Sequence, residues 1–177
     1  MSRDNLQMFC WCALLLVLCG CQLKKETPQQ RYDAAKVLFE ETTKIFHLPS
    51  AEANGAEKYK LQSQAAAGYQ ALLSNYPDQG YWAAQALRSL GNICATQGKL
   101  DAAIHHYAAL EKKYPQQEWE LLMAWKSAAD LLRDAARHTE ARACCQKIVA
   151  RFDVPGAPQV VKTIVRGCRT QLVGSAN

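Results

Sequence analysis

Two doublets, His105-His106 and Cys144-Cys145, with Cys94 and Cys168 apart from them, are the side chains best suited to metal or redox chemistry. Imidazole and thiolate together are zinc ligands. His106 and Cys144 lie 38 residues apart, an interval that recurs through the chain. Neighbouring residues on a helix point about 100° apart, so only one member of each doublet joins a given site. The spacing matches no zinc pattern, small-residue packing is the preferred reading, and no metal or other cofactor is expected. The thiols offer a second chemistry. A bridge from Cys144 or Cys145 to Cys168 would clamp the last helix onto its neighbour; alternatively these cysteines act as small hydrophobes. A nucleophile elbow, a glycine-rich phosphate loop and a zinc-protease helix would each show as a local string, and none occurs. The chain is not read as an enzyme.

The other four cysteines, Cys10, Cys12, Cys19 and Cys21, crowd the start of the chain. Met8 to Gly20 is an apolar run shorter than the roughly 20 residues of a membrane-spanning helix, and residues 1–20 read as a signal peptide. Leu18-Cys19-Gly20-Cys21 resembles the bacterial lipobox: a branched apolar residue, two small residues, then the cysteine that is acylated. The alternatives are an ordinary cleaved signal or a short buried helix. On the lipobox reading Cys21 carries the anchor. With about 0.8 kcal/mol for each buried CH₂, several acyl chains hold a protein to a membrane durably. Residues 21–28 are expected to form a short polar tether whose Lys24 and Lys25 would face the headgroups, the plainer reading being simple solvation. Gln22 after the cysteine, where Asp would mark inner-membrane retention, resembles lipoproteins of the outer membrane. A lipid-anchored place in the bacterial cell envelope, facing the periplasm, is expected, and with it an oxidising environment for the remaining thiols.

Composition says which elements position these groups. The 177 residues include 28 alanines but only nine glycines and six prolines, which favours helix. With 49% hydrophobic and 21% charged residues the chain can bury a core. A formal charge of +5 permits attraction to acidic partners but is too diffuse for nucleic acid, and no nucleic-acid partner is expected.

The body repeats. Ala65, Tyr69, Leu72, Tyr76 and Pro77 recur 38 positions on as Ala103, Tyr107, Leu110, Tyr114 and Pro115. A third copy has Ala141, Cys145, Ile148, Phe152 and Asp153, with the proline delayed to Pro155. Upstream, Leu87, Leu90, Gly91 and Cys94 align with Trp125, Ala128, Ala129 and Leu132. A fixed period of this size is the mark of a stacked helical array. Small Gly91 and Ala103 suit a close helix crossing, and Pro77 and Pro115 end their helices. At the end, residues 158–172 place Val161, Ile164, Val165, Cys168 and Leu172 on one face and Lys162, Arg166 and Arg169 on the other. Tyr81, Trp82, Trp119 and Trp125 are expected in the core, as large first-turn residues, the alternative being contacts between subunits.

The pattern of large residue, leucine-glycine, alanine, aromatic and closing proline resembles the tetratricopeptide repeat (TPR) family. That resemblance implies an all-α, right-handed α-α superhelix (solenoid), a TPR-like domain over 29–173. Its repeat cores fall at about 46–79, 84–117 and 122–155, with a C-terminal capping helix at 158–172. The first copy departs from the pattern, reading as a helix-loop-helix with a lengthened connection or as a second helix extended back to about Ala56.

TPR arrays bind partner segments in a concave groove, lined here, by the resemblance, by Gln85, Arg88, Asn92 and Ala95 and then Met123, Lys126, Asp130 and Arg133. Arg88 with Asn92 is similar to the pair with which some TPR domains hold a peptide carboxylate. The other reading of Lys126, Asp130, Arg133, Asp134 and Arg137 is a solvated face of intrahelical ion pairs. Among TPR lipoproteins the chain resembles the BamD-type and CpoB-type families. This implies a scaffold that binds protein partners near a membrane in outer-membrane protein assembly; the alternative is a cell-wall or cell-division lipoprotein that regulates a periplasmic enzyme.

Overall fold

The computed structural model describes residues 26–174. The expected signal segment 1–20, Cys21 and the expected tether as far as residue 25 lie outside the described residues. Among the described residues every regular element is helical, and seven helices have fourteen residues or more. No helix of the described residues is long and apolar enough to cross a membrane.

Of the described residues, 26–30 belong to one unit and 31–174 to another. In the first, Thr27 Oγ1 accepts from the Gln30 backbone N–H at 3.2 Å while Gln30 Oε1 accepts from the Thr27 N–H at 2.9 Å. This reciprocal capping, with Pro28 at the first helical position, starts helix α1, Pro28–Thr42.

From Arg31 onward the chain is a run of helices, each packed on the next. α1 passes without a break through a π-helical turn, Thr43–His47, into the short α2, Leu48–Glu52. Extended backbone at Ala53 and Asn54 then stops it, and α3 begins at Gly55 and runs to Asn75. The first repeat copy thus takes the form of a second helix extended backwards rather than of a lengthened connection. Its second helix reaches back to Gly55, and its first half is the π turn with α2.

The next two copies are regular: α4 (Gly80–Thr96) with α5 (Leu100–Lys113), and α6 (Glu118–Asp134) with α7 (His138–Phe152). α8 (Gln159–Gly174) packs on α7, and α4 also packs on α6. Loops of three or four residues from α3 to α7, and one of six between α7 and α8, make successive helices antiparallel neighbours. Tyr76 and Tyr114 end α3 and α5 in nearly the same backbone conformation, before Pro77 and Pro115. Tyr114 Oη donates to the Pro77 carbonyl at 2.9 Å, tying the two loops together.

Ala65 and Ala103 are fully buried, with Tyr69, Leu72, Tyr107 and Leu110 around them. A Cβ placed on Gly91 would fall 2.3 Å from Tyr107 Cε1, so the ring fills the space that glycine leaves. In the third copy the same two places hold Ala129 and Cys145, a larger residue against a smaller one.

The four first-turn aromatics divide. Trp82 and Trp125 are buried, but Tyr81 and Trp119 are 49% and 48% exposed, which corrects their expected place in the core. Adjacent residues on a helix point about 100° apart, and the inward place goes to Trp82 in α4 and to its counterpart Glu120 in α6.

Candidate functional site

About half of α4 and of α6 is buried, and along their middle stretches the open residues are few. Between residues 82 and 93 only Gln85, Arg88 and Asn92 are not buried. Between 120 and 132 the open residues are Met123, Lys126 and Asp130, with Ser127 and Leu131 beside them. Steps of three and four residues put each set on one helical stripe. Every member of the first set matches one of the second at the 38-residue interval. Because α4 and α6 lie against each other, the stripes adjoin. Arg133 extends the second by one turn and Ala95 the first; both are half-buried.

The charges on this surface already have partners. Arg88 Nε donates to Glu120 Oε2, joining α4 to α6 through a carboxylate whose side chain is only 8% exposed. Asn92 Oδ1 accepts from Tyr107 Oη at 2.8 Å. The pair proposed to clamp a peptide carboxylate is thus engaged within the chain. Lys126 Nζ and Arg133 Nη1 both reach Asp130, at 2.8 and 2.9 Å, and Arg133 Nη2 lies 3.6 Å from Asp134. Arg137 bridges Asp101 and Glu140. The exposed charges of α6 therefore form the solvated network of the plainer reading. Gln85 Nε2 is buried with no hydrogen-bond partner among the described residues, an unfilled donor on the same stripe.

Beyond Lys126 and Asp130 the surface dips into a cavity of about 240 Å³ between α6, α7 and α8, lined also by Cys145, Ile164, Cys168 and Gln171. Cys94, Cys144, Cys145 and Cys168 are all free thiols. Cys145 and Cys168 face each other across the α7–α8 contact, and the Cys145 thiol donates to Gln171 Oε1 at 3.2 Å. Burial, and the neighbouring Cys145, push the Cys168 thiol well above its ordinary range; burial raises Cys144 too. Both are poor nucleophiles in this state. His105 and His106 stack edge to face with centroids 6.0 Å apart. Among the described residues no three His, Cys, Asp or Glu side chains gather closely enough to hold a metal ion.

Sequence reasoning missed a polar knot at the π turn. Thr43 Oγ1 and His47 Nδ1 each lie 2.8 Å from Tyr69 Oη, with Ser89 and Arg88 close by. Burial lowers the His47 pKa and the positive charge of Arg88 lowers it further. Burial raises Tyr69, and it pushes Tyr107, its counterpart one interval later, up to about 12. Both tyrosines hold their protons and serve as hydrogen-bond hubs between layers. The extra residue of a π turn, which re-aims the side chains after it, has no signal in the hydrophobic period.

No family model, no curated protein and no solved structure matches this chain. The functional reading rests on the arrangement of its own residues.

Proposed function

We propose that the chain is a lipoprotein of the bacterial envelope, anchored through Cys21 at the outer membrane and facing the periplasm. In this reading its repeated helix pairs form a TPR-type right-handed solenoid, capped by α8, that docks partner proteins. It acts as a scaffold without catalysis, in outer-membrane protein assembly. One observation carries the reading: in the middle stretches of α4 and α6 the same positions stay open, Gln85-Arg88-Asn92 and, one interval later, Met123-Lys126-Asp130. Core packing alone gives no reason for the same face to stay open twice.

The internal pairing of Arg88 and Asn92 moves the recognition chemistry toward the more exposed positions. Met123 supplies adaptable apolar contact, and Lys126 and Arg133 supply charge that Asp130 only shares between them. An incoming carboxylate would replace Asp130 on either one.

The test is chemical crosslinking in intact cells followed by purification from solubilised envelope, with Lys126→Glu/Arg133→Glu as the control chain. Discrete partners that vanish in the control support the scaffold. Their identity separates barrel assembly from the alternative, regulation of a wall or division enzyme. Partners unchanged in the control would remove the groove from the account.

A further inference from the structure

Two cavities flank the Phe152–Ala157 strap between α7 and α8, and they differ in chemistry. One, of about 320 Å³, is walled by Trp119, Leu122, Pro158 and Val161, with Glu118 at its edge. The other, of about 250 Å³, is walled by Lys162, Val165, Arg166 and Arg169, with Asp153 beside them. Phe152, Val154 and Ala157 line both, so the two are halves of one surface.

The charges on this surface do not cancel. Asp153 is taken by Arg169, and Glu118 lies 3.6 Å from Arg151. Lys162 and Arg166, four residues apart on α8 and both exposed, have no carboxylate within ion-pair distance among the described residues. Six of the eight arginines within the described residues do have one. The surplus of two positive charges therefore sits at the basic half. On the apolar half Trp119 is 48% exposed and Val154 52%, and Val160 on α8 is 50% exposed. These are large apolar residues left in water next to unpaired cations.

The geometry points to a docking site for the surface of a bilayer containing acidic phospholipid: phosphate groups on Lys162 and Arg166, with Trp119 and Val154 in the headgroup–acyl boundary. Each half matches one layer of such a surface. Basic side chains gain from anionic headgroups within a Debye length, and an exposed tryptophan beside aliphatic residues prefers the interface to water. The site is separate from the α4–α6 stripe and does not depend on the partner-docking reading.

The test is flotation of the full chain with vesicles of phosphatidylcholine alone or with added phosphatidylglycerol. Insertion of the N-terminal apolar segment contributes to both, so the readout is the ratio of the two partition coefficients. The ratio is expected to exceed one and to fall about 30-fold in Lys162→Gln/Arg166→Gln, the loss of two contacts of about 1 kcal/mol each. Trp119→Ala is expected to weaken partitioning to both vesicles while keeping the ratio. Lys126→Glu should keep both, which separates this site from the groove. Equal partitioning to the two vesicles, or a ratio unchanged in the double variant with its melting temperature intact, would overturn the proposal. So would release by millimolar inorganic phosphate at constant ionic strength, which would make the basic half a site for a free anion.

Discussion

Arg88 of α4 reaches Glu120 at the start of α6 and binds its buried carboxylate. Glu120 occupies the place that Trp82 holds one interval earlier, so the second layer uses a charge where the first uses an indole. The pair fixes α6 against α4 and withdraws Arg88 from ligands. Removing one partner of a buried pair leaves the other uncompensated, at a cost of about 3 kcal/mol. Arg88→Met is expected to lower stability by that order in urea unfolding, and Arg88→Met/Glu120→Met to recover most of it. A single substitution as harmful as the double would mean the pair is only a surface contact.

Gly91 and Tyr107 form a size-matched couple, as Ala129 and Cys145 do one interval later. Gly91→Ala drives a methyl into the ring and is expected to cost about 1–3 kcal/mol. In a Tyr107→Cys background, which copies the third repeat, the same change should stabilise by up to about 1 kcal/mol through helix propensity. The double-mutant cycle checks this reversal of sign. Additive effects would show that Gly91 answers to another neighbour.

Gly98 and Ala136, also 38 residues apart, both take left-handed backbone, with φ of 71° and 58°. Each ends its helix with the same pair of bonds, to the carbonyls of Ala95 and Cys94 and of Arg133 and Leu132. Only the glycine adopts that conformation without strain, at a difference of about 1 kcal/mol. Ala136→Gly is expected to raise the melting temperature and Gly98→Ala to lower it. A fall on Ala136→Gly would contradict the cap.

His47 is held neutral by burial and by Arg88, so its folded pKa lies below 6.5. Between the lowered pKa and 6.5 the unfolded chain binds more protons than the folded one, and stability is lost as the pH falls through that window. His106, lowered by burial and by His105, adds to the same slope. Urea midpoints at pH 7.5 and 5.5 should differ, less so in His47→Gln. A slope unchanged by that substitution would place the titration elsewhere.

The helical class, the loops after Tyr76 and Tyr114, and the matching of α4–α5 with α6–α7 were legible because interval and turn chemistry are local. The positions 85, 88 and 92 and 123, 126 and 130 were expected only from the TPR resemblance; that they are open is seen in the packing of the helices. What stayed hidden depends on contacts across layers. No local pattern says that Arg88 spends its charge on Glu120, 32 residues away, or that Asn92 serves Tyr107. Tyr81 and Trp119 were misplaced because an amphipathic aromatic in a first turn fits either side, and only the packing of α4 on α6 chooses. The π turn at Thr43–His47 leaves the apolar spacing nearly unchanged.

The central claim is that the adjoining stripes of α4 and α6 bind protein partners. A photo-crosslinking side chain at Met123, compared in intact cells with one at exposed Lys112 on α5, tests it most directly. The account predicts discrete adducts from position 123, absent from 112 and lost when Lys126 and Arg133 are reversed to Glu. Adducts from 112 alone, or none from 123, would contradict it.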